Sequence, residues 1–469
     1  MALTFKGGWC QWLLLLMKNT EPHYLYIMKN NKLYFVFLFL SILFASCNGE
    51  EVIEKWPEIG NYYDSSKPIE LKSMSPDWGR INDSFIIKGN FPVDTTGKVK
   101  VFFADKEAVI VNNNGNELYG LIPKQMPGYN EIILEVEGKN YTSDNVKFKY
   151  YQTQSVKTIL GKFGEDGWTS SDDSKIEEFR MNECTGIVAV AGQKSDNFIF
   201  VGGGWGDRTY FVSLEDNVVI RLINIGYMGA VAVDSSREKV SIMPRNGGAL
   251  YTASRADGWV LNSLGLTIPF QGDCQGALAY AEDDRYLYAM SGDGLYEIDL
   301  EDKGYTKLFA TSDYPAFDGV NTGQWRHYLT YSKYDKCFFA SYPESNGIMK
   351  IWKDTSGAWQ VERYAGFQPG WLATAFGDRL TDAVLKEPCG MAVNSSGELY
   401  VCCKNSHCIV KIKGRLVSLV AGAPDQAGRL NGFPTDALFD NPLCIALDSE
   451  ENFFIGEESS KAIRKMTIE

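Results

Sequence analysis

The sequence predicts an all-β protein with two folded parts, a small sandwich and then a larger six-bladed propeller, behind an N-terminal export segment. Two observations carry this. Between Pro68 and Tyr151, short apolar runs alternate with turn residues at about ten-residue spacing, and no helical period lies between them. Further on, a five-residue phrase recurs six times, each copy followed by a polar turn and, in most, a second apolar run.

The export segment comes first. Residues 28–51 read MKNNKLYFVFLFLSILFASCNGEE, with Lys29 and Lys32 ahead of an apolar run from Leu33 to Phe44 and then Ala45-Ser46-Cys47. A basic head, an apolar core of about a dozen residues and small residues at the cut describe a secretory signal. Such a run is too short to span a bilayer, which takes roughly 20 residues. The cysteine after Ala45-Ser46 resembles the lipobox of bacterial lipoproteins, in the looser Bacteroidetes form because Phe44 stands where leucine is usual. Asn48-Gly49-Glu50-Glu51 resembles the acidic tag that directs lipoproteins of that phylum to the cell surface. The resemblance implies lipidation at Cys47, a mature chain starting there, and an outer-membrane, surface-facing protein held by lipid alone. Residues 1–27 read as upstream sequence from an early start codon. An uncleaved N-terminal anchor is the alternative.

Composition narrows the partners. Of 46 basic and 59 acidic residues, residues 1–47 hold four lysines and Glu21, so the mature chain keeps 42 against 58, a net charge of −16. That surface repels a phosphate backbone and no basic run offsets it, which excludes nucleic acid as a partner. Setting Cys10 and Cys47 aside leaves eight cysteines. An even number outside the cytoplasm permits disulfides, but paired Cys-x2-Cys motifs are missing, so no zinc or other metal is expected. Cys402 and Cys408 flank a short turn, placed to face each other across a hairpin, with buried free thiols the other reading.

The expected organisation is signal and upstream extension 1–47, polar tether 48–67, sandwich 68–152 and propeller 153–469. In the sandwich, strands are expected at Ser84-Phe85-Ile86-Ile87-Lys88-Gly89, Val99-Lys100-Val101-Phe102-Phe103, Asn130 to Val136 and Val146 to Tyr150. The phrases Ser75-Pro76-Asp77-Trp78-Gly79, Ile87-Lys88-Gly89-Asn90-Phe91, Leu121-Ile122-Pro123 and Pro127-Gly128 resemble the IPT/TIG domain, an immunoglobulin-like fold. In that family the domain occurs both as a spacer and as a DNA-binding element, and an acidic, exported chain favours the spacer.

In the propeller the copies are Gly186-Ile187-Val188-Ala189-Val190, Gly229-Ala230-Val231-Ala232-Val233, Gly276-Ala277-Leu278-Ala279-Tyr280, His327-Tyr328-Leu329-Thr330-Tyr331, Cys389-Gly390-Met391-Ala392-Val393 and Leu443-Cys444-Ile445-Ala446-Leu447. Small residues suit innermost strands that crowd about an axis. Glu387 to Val393 and Gly397-Glu398-Leu399-Tyr400-Val401 resemble NHL repeats. Ala462 to Thr467 matches a third strand with no fourth after it, and Val156-Lys157-Thr158-Ile159-Leu160-Gly161 matches the missing fourth. The expected closure is therefore the first strand docking on the last blade, which removes an exposed edge.

Catalytic motifs are thin. Only His327 and His407 lie in the mature chain, with no Gly-x-Ser-x-Gly elbow, phosphate loop or His-Glu-x-x-His pattern, and no cofactor is expected. His407 reads as structural. Where the first three copies carry glycine, the fourth has His327 behind Trp325 and Arg326. Arginine binds carboxylate or sulfate bidentately and tryptophan offers a flat face to a sugar ring; an irregular blade with Trp325 in the core is the other reading. Loops expected on the same face add Trp205, Asp207, Arg208, Arg245, Tyr314, Tyr342 and Trp371 as candidate ligand-binding residues, with no catalytic residue assigned. The organisation resembles surface lipoproteins of Bacteroidetes glycan-uptake systems. It implies non-catalytic capture of a polysaccharide or oligosaccharide beside a TonB-dependent transporter and partner lipoproteins. A propeller polysaccharide lyase or hydrolase and an adhesion or protein-interaction module are the alternatives.

Overall fold

The computed structural model describes residues 62–468, apart from 94–98, 126, 152–153, 166, 203–207, 224–227, 245–247, 269–276 and 324–325. The signal segment, Cys47 and the start of the tether lie outside the described residues. Structure is β throughout, interrupted by single turns of 3-10 helix, and no described helix is long and apolar enough to cross a membrane. Contacts divide the chain into two units.

Among the described residues the N-terminal part holds two sheets, antiparallel except where Trp78–Gly79 runs parallel to the end of Lys139–Tyr150. One orders Glu70–Ser75, Ser84–Asn90, Glu117–Leu121 and Val109–Asn113; the other contains Val99–Phe103, Gly128–Val136 and Lys139–Tyr150. Alternation decides which side chains go inside: Val99, Val101 and Phe103 are buried while Lys100 and Phe102 are not. Phe85 meets Phe103 edge-on at 5.2 Å between centroids. Glu70–Ser75, Val109–Asn113 and Glu117–Leu121 were not among the expected strands. Each mixes polar residues into the apolar run, which blurs the period.

Among the described residues the second part holds six sheets whose innermost strands are Cys184–Val190, Met228–Val233, Leu278–Tyr280, Tyr328–Ser332, Pro388–Val393 and Pro442–Leu447. All six fall on the repeated phrases. They are covered on both faces, which is why they read as nearly unbroken apolar runs: every residue of Cys184–Val190 is buried. One apolar cluster separates each sheet from the next. Phe198, Phe200 and Ala189 of the first sheet pack with Ala446 and Phe454 of the sixth, and Met391 and Val401 of the fifth pack with Tyr328 and Phe339 of the fourth.

Turns after the inner strands add polar links. Ser449 N donates to Asp196 (2.6 Å), Arg237 pairs with Asp196 (3.3 Å), Ser235 N donates to Asp284 (2.9 Å) and Lys336 approaches Glu282 (3.6 Å). Tyr334 lies where a Cβ on Gly397 would be, and Ser395 N donates to Glu451 (2.8 Å). Links therefore run from each sheet to the next, sixth to first included. In the sixth sheet Gln154–Gly161 pairs antiparallel with Ala462–Ile468, from Gln154 opposite Ile468 to Gly161 opposite Ala462.

The cysteine expectation needs correction. Cys403, not Cys402, stands opposite Cys408, because the hairpin turns through Lys404–Ser406 and His407, and Cys402 faces Ile409. The described cysteines are all free and buried.

Candidate functional site

A cavity of about 300 Å³ is lined by all six innermost strands. Its walls need small residues: Ala189, Ala232, Ala279, Ala392 and Ala446 line it, and a Cβ on Gly390 would stand 2.6 Å from the Cys444 Cα. Tyr280, Tyr328 and Tyr331 supply its aromatic lining, and Asp234, Ser235, Arg237 and Lys333 sit where the strands end. Burial pushes the Tyr280 phenol up to about 12 despite a 2.7 Å hydrogen bond with Ser241. Burial raises the Tyr328 and Tyr331 phenols too, so all three stay neutral at any physiological pH.

Charge gathers where the inner strands begin. Arg326 Nη2 lies 2.5 Å from Glu458 and 3.9 Å from Glu183; Lys404 Nζ lies 2.9 Å from Glu458 and 3.3 Å from Glu387. Burial pulls the Glu458 carboxyl upward, but Arg326 and Lys404 outweigh it and hold it below the usual carboxylate range. The five groups come from four sheets, because the turns carrying Lys404 and Glu458 reach over the starts of neighbouring strands. Three acids and two bases leave one negative charge.

Of the residues singled out in the sequence, Trp205, Asp207, Arg245 and Trp325 lie outside the described residues. Arg326 is 7% exposed, its guanidinium already engaged by carboxylates. His327 is 1% exposed, with Nε2 2.9 Å from the Thr322 carbonyl and its ring edge-on to Tyr342. Tyr342 is fully buried against Phe317. These two belong to the wall of the fourth sheet instead of its loop surface. The short 3-10 turns Thr311–Asp313 and Pro315–Phe317 cover them, held by Arg363, which donates to the Ala316 and Asp318 carbonyls. Tyr314 is part of that cover, its hydroxyl donating to the Trp359 carbonyl (2.9 Å). Arg208 is half-buried, its guanidinium 5.4 Å from the Trp168 ring centre.

Trp371 is different. Its side chain is 82% exposed on a turn closed by Leu372 N donating to the Pro369 carbonyl (3.1 Å). Behind it Thr374 donates from N to Asp425 (3.0 Å) and meets Ser406 Oγ at 2.7 Å, and Lys386 pairs with Asp425 (2.8 Å). The backbone is pinned while the indole stands in solvent. Glu183, Glu387, Lys404 and Glu458 went unrecognised in the sequence because each belongs to an ordinary-looking polar turn. Their one signal is the equivalent position of Lys404 and Glu458, directly after a second strand.

Family models match two segments, the IPT/TIG domain over residues 68–150 and the NHL repeat over residues 385–412. The chain carries an IPT/TIG domain and an NHL repeat. No curated protein matches it. Among solved structures, a Bacteroides thetaiotaomicron protein of unknown function is 29% identical, with a TM-score of 0.75 over 87% of this chain and 100% of that one. Auxiliary nutrient binding proteins from Bacteroides thetaiotaomicron and Bacteroides ovatus are 20% and 19% identical, each covering 87% of this chain and 99% of its own, with TM-scores of 0.54 and 0.56. At those identities the likeness is one of fold.

Proposed function

We propose that this protein is a lipid-anchored, cell-surface protein that binds polysaccharide without cleaving it, and that its second part is a six-bladed NHL-type propeller closed by its own first strand. The cyclic order of links between sheets, the shared cavity and the pairing of Gln154–Gly161 with Ala462–Ile468 support the architecture. The pinned, solvent-facing Trp371 carries the binding reading. An exposed indole on a pinned backbone presents a face on which a sugar ring stacks while nearby polar groups take its hydroxyls. Two fold relatives named as auxiliary nutrient binding proteins point the same way. The IPT/TIG domain then serves as a spacer above a lipid on Cys47, and a TonB-dependent transporter with partner lipoproteins takes up what the propeller holds.

Affinity electrophoresis of residues 48–469 through gels containing single polysaccharides tests this. Retardation by one polymer, lost in Trp371→Ala with unchanged melting temperature, is the expected result. Free migration through every polymer tried would sink it.

A further inference from the structure

Cys184 and Cys444 sit on neighbouring inner strands of the first and sixth sheets, and their Sγ atoms are 3.2 Å apart. A disulfide holds its sulfurs at about 2.05 Å, so the pair stands roughly one ångström from bonding distance. Cys184 is fully buried and Cys444 is 3% exposed. Their thiols also face backbone carbonyls, Cys184 Sγ at 3.5 Å from Gly186 O and Cys444 Sγ at 3.3 Å from Cys184 O. Across from them stands Gly456, where a Cβ would come 2.5 Å from one sulfur and 2.6 Å from the other. The sixth sheet thus keeps a side-chain-free position against the two sulfurs.

We infer that Cys184 and Cys444 form a cross-linking site, a disulfide joining the first sheet to the sixth. The two residues are 260 apart in sequence, so the bond encloses most of the second part of the chain. The oxidant is another disulfide, small or protein-borne. One thiolate of the pair attacks a sulfur of the oxidant and expels a thiolate; the other then attacks the mixed disulfide at the cysteine sulfur and expels the second. Two electrons and the two thiol protons end on the oxidant, which leaves as two thiols. Burial, reinforced by the neighbouring Cys444, pushes the Cys184 thiol up well above its ordinary value. Thiolate is therefore scarce once the strands have packed, and the bond forms during folding. In a cell it needs an oxidising compartment, but its chemistry is tested apart from the export proposal.

Residues 48–469 are refolded with glutathione disulfide, alkylated and digested with trypsin without reduction. The fragments 181–194 and 430–461 carry one cysteine each, Cys184 and Cys444. The expected product is these two fragments joined, separating on reduction, together with a melting temperature that a phosphine reductant lowers by about 5 °C. Cys184→Ser should abolish the joined species and the reductant's effect. Recovery of both fragments alkylated, or of Cys444 joined to a different cysteine, overturns the inference. That map is made on the unsubstituted chain, so it decides the matter even if Cys184→Ser fails to fold.

Discussion

Arg464 and Glu457 form an ion pair, Nη1 to Oε1 3.0 Å, with both side chains wholly removed from solvent. Arg464 also donates to the Leu438 carbonyl at 3.2 Å, the Leu430 carbonyl at 2.7 Å and Asn431 at 2.8 Å, and it lies between the rings of Phe163 and Phe439. One guanidinium thus ties the last two strands to the loop before the sixth sheet. Arg464→Met should destabilise the fold by about 3–5 kcal/mol, because it leaves a buried carboxylate without its partner. Adding Glu457→Gln should recover part of that loss. Urea denaturation of the two variants measures both.

Glu398 gives the acid side of the stability curve a specific shape. Burial acts to raise its carboxyl, but Lys411 (3.1 Å), Lys413 (3.2 Å), Asn394 and Tyr400 outweigh it and hold it at about 2. A carboxyl depressed on folding adds stability above its unfolded value of about 4.3 and loses it as pH falls toward the folded value. Between pH 5 and pH 2 the unsubstituted protein should lose about 1–2 kcal/mol that Glu398→Gln does not lose, after allowance for solvent screening. Denaturation midpoints across that range check the difference.

Arg326 should behave as a structural residue. Arg326→Met leaves Glu458 with Lys404 alone and should cost about 2–3 kcal/mol of stability. Any polymer retained by the native protein should still be retained by this variant at a temperature where it is folded. Selective loss of carboxylate-bearing polymers would instead show that the guanidinium reaches ligand.

Gly390→Ala places a methyl group 2.6 Å from the Cys444 Cα, and the atoms it meets are all backbone of Leu443–Ile445, which cannot yield cheaply. A loss of about 2–3 kcal/mol is expected, seen as a lower melting temperature. Gly304→Ala, in an outer strand with nothing near its Cβ position, is the control and should change little.

These expectations mark where sequence is a good guide and where it stops. The six inner strands were legible because burial on both faces demands unbroken small and apolar residues, as in Gly186-Ile187-Val188-Ala189-Val190. The IPT/TIG phrases were legible because turn residues such as Pro76, Gly89 and Gly128 punctuate them. Side-chain direction was not. Tyr342 looks like a loop residue in sequence and His327 like a residue at an open strand mouth, yet the 3-10 turns over them, written in ordinary residues such as Ala316 and Phe317, put both inside. The Arg326–Glu458 contact spans 132 residues, a separation at which no local pattern announces a partner.

The pairing of Gln154–Gly161 with Ala462–Ile468 also sets an order of events. Ser155 and Thr467, whose hydroxyls meet at 2.9 Å, are 312 residues apart. A nascent chain stopped short of Ala462 leaves the early strand with no ladder, only the bridge from Val156 to Gly432, however much of the intervening sequence has already folded. Contacts that distant form slowly, since a very large loop must close before any bond rewards it. The ladder between Gln154–Gly161 and Ala462–Ile468 can therefore form only after Ala462–Ile468 has been synthesised, and until then the early strand waits unclaimed.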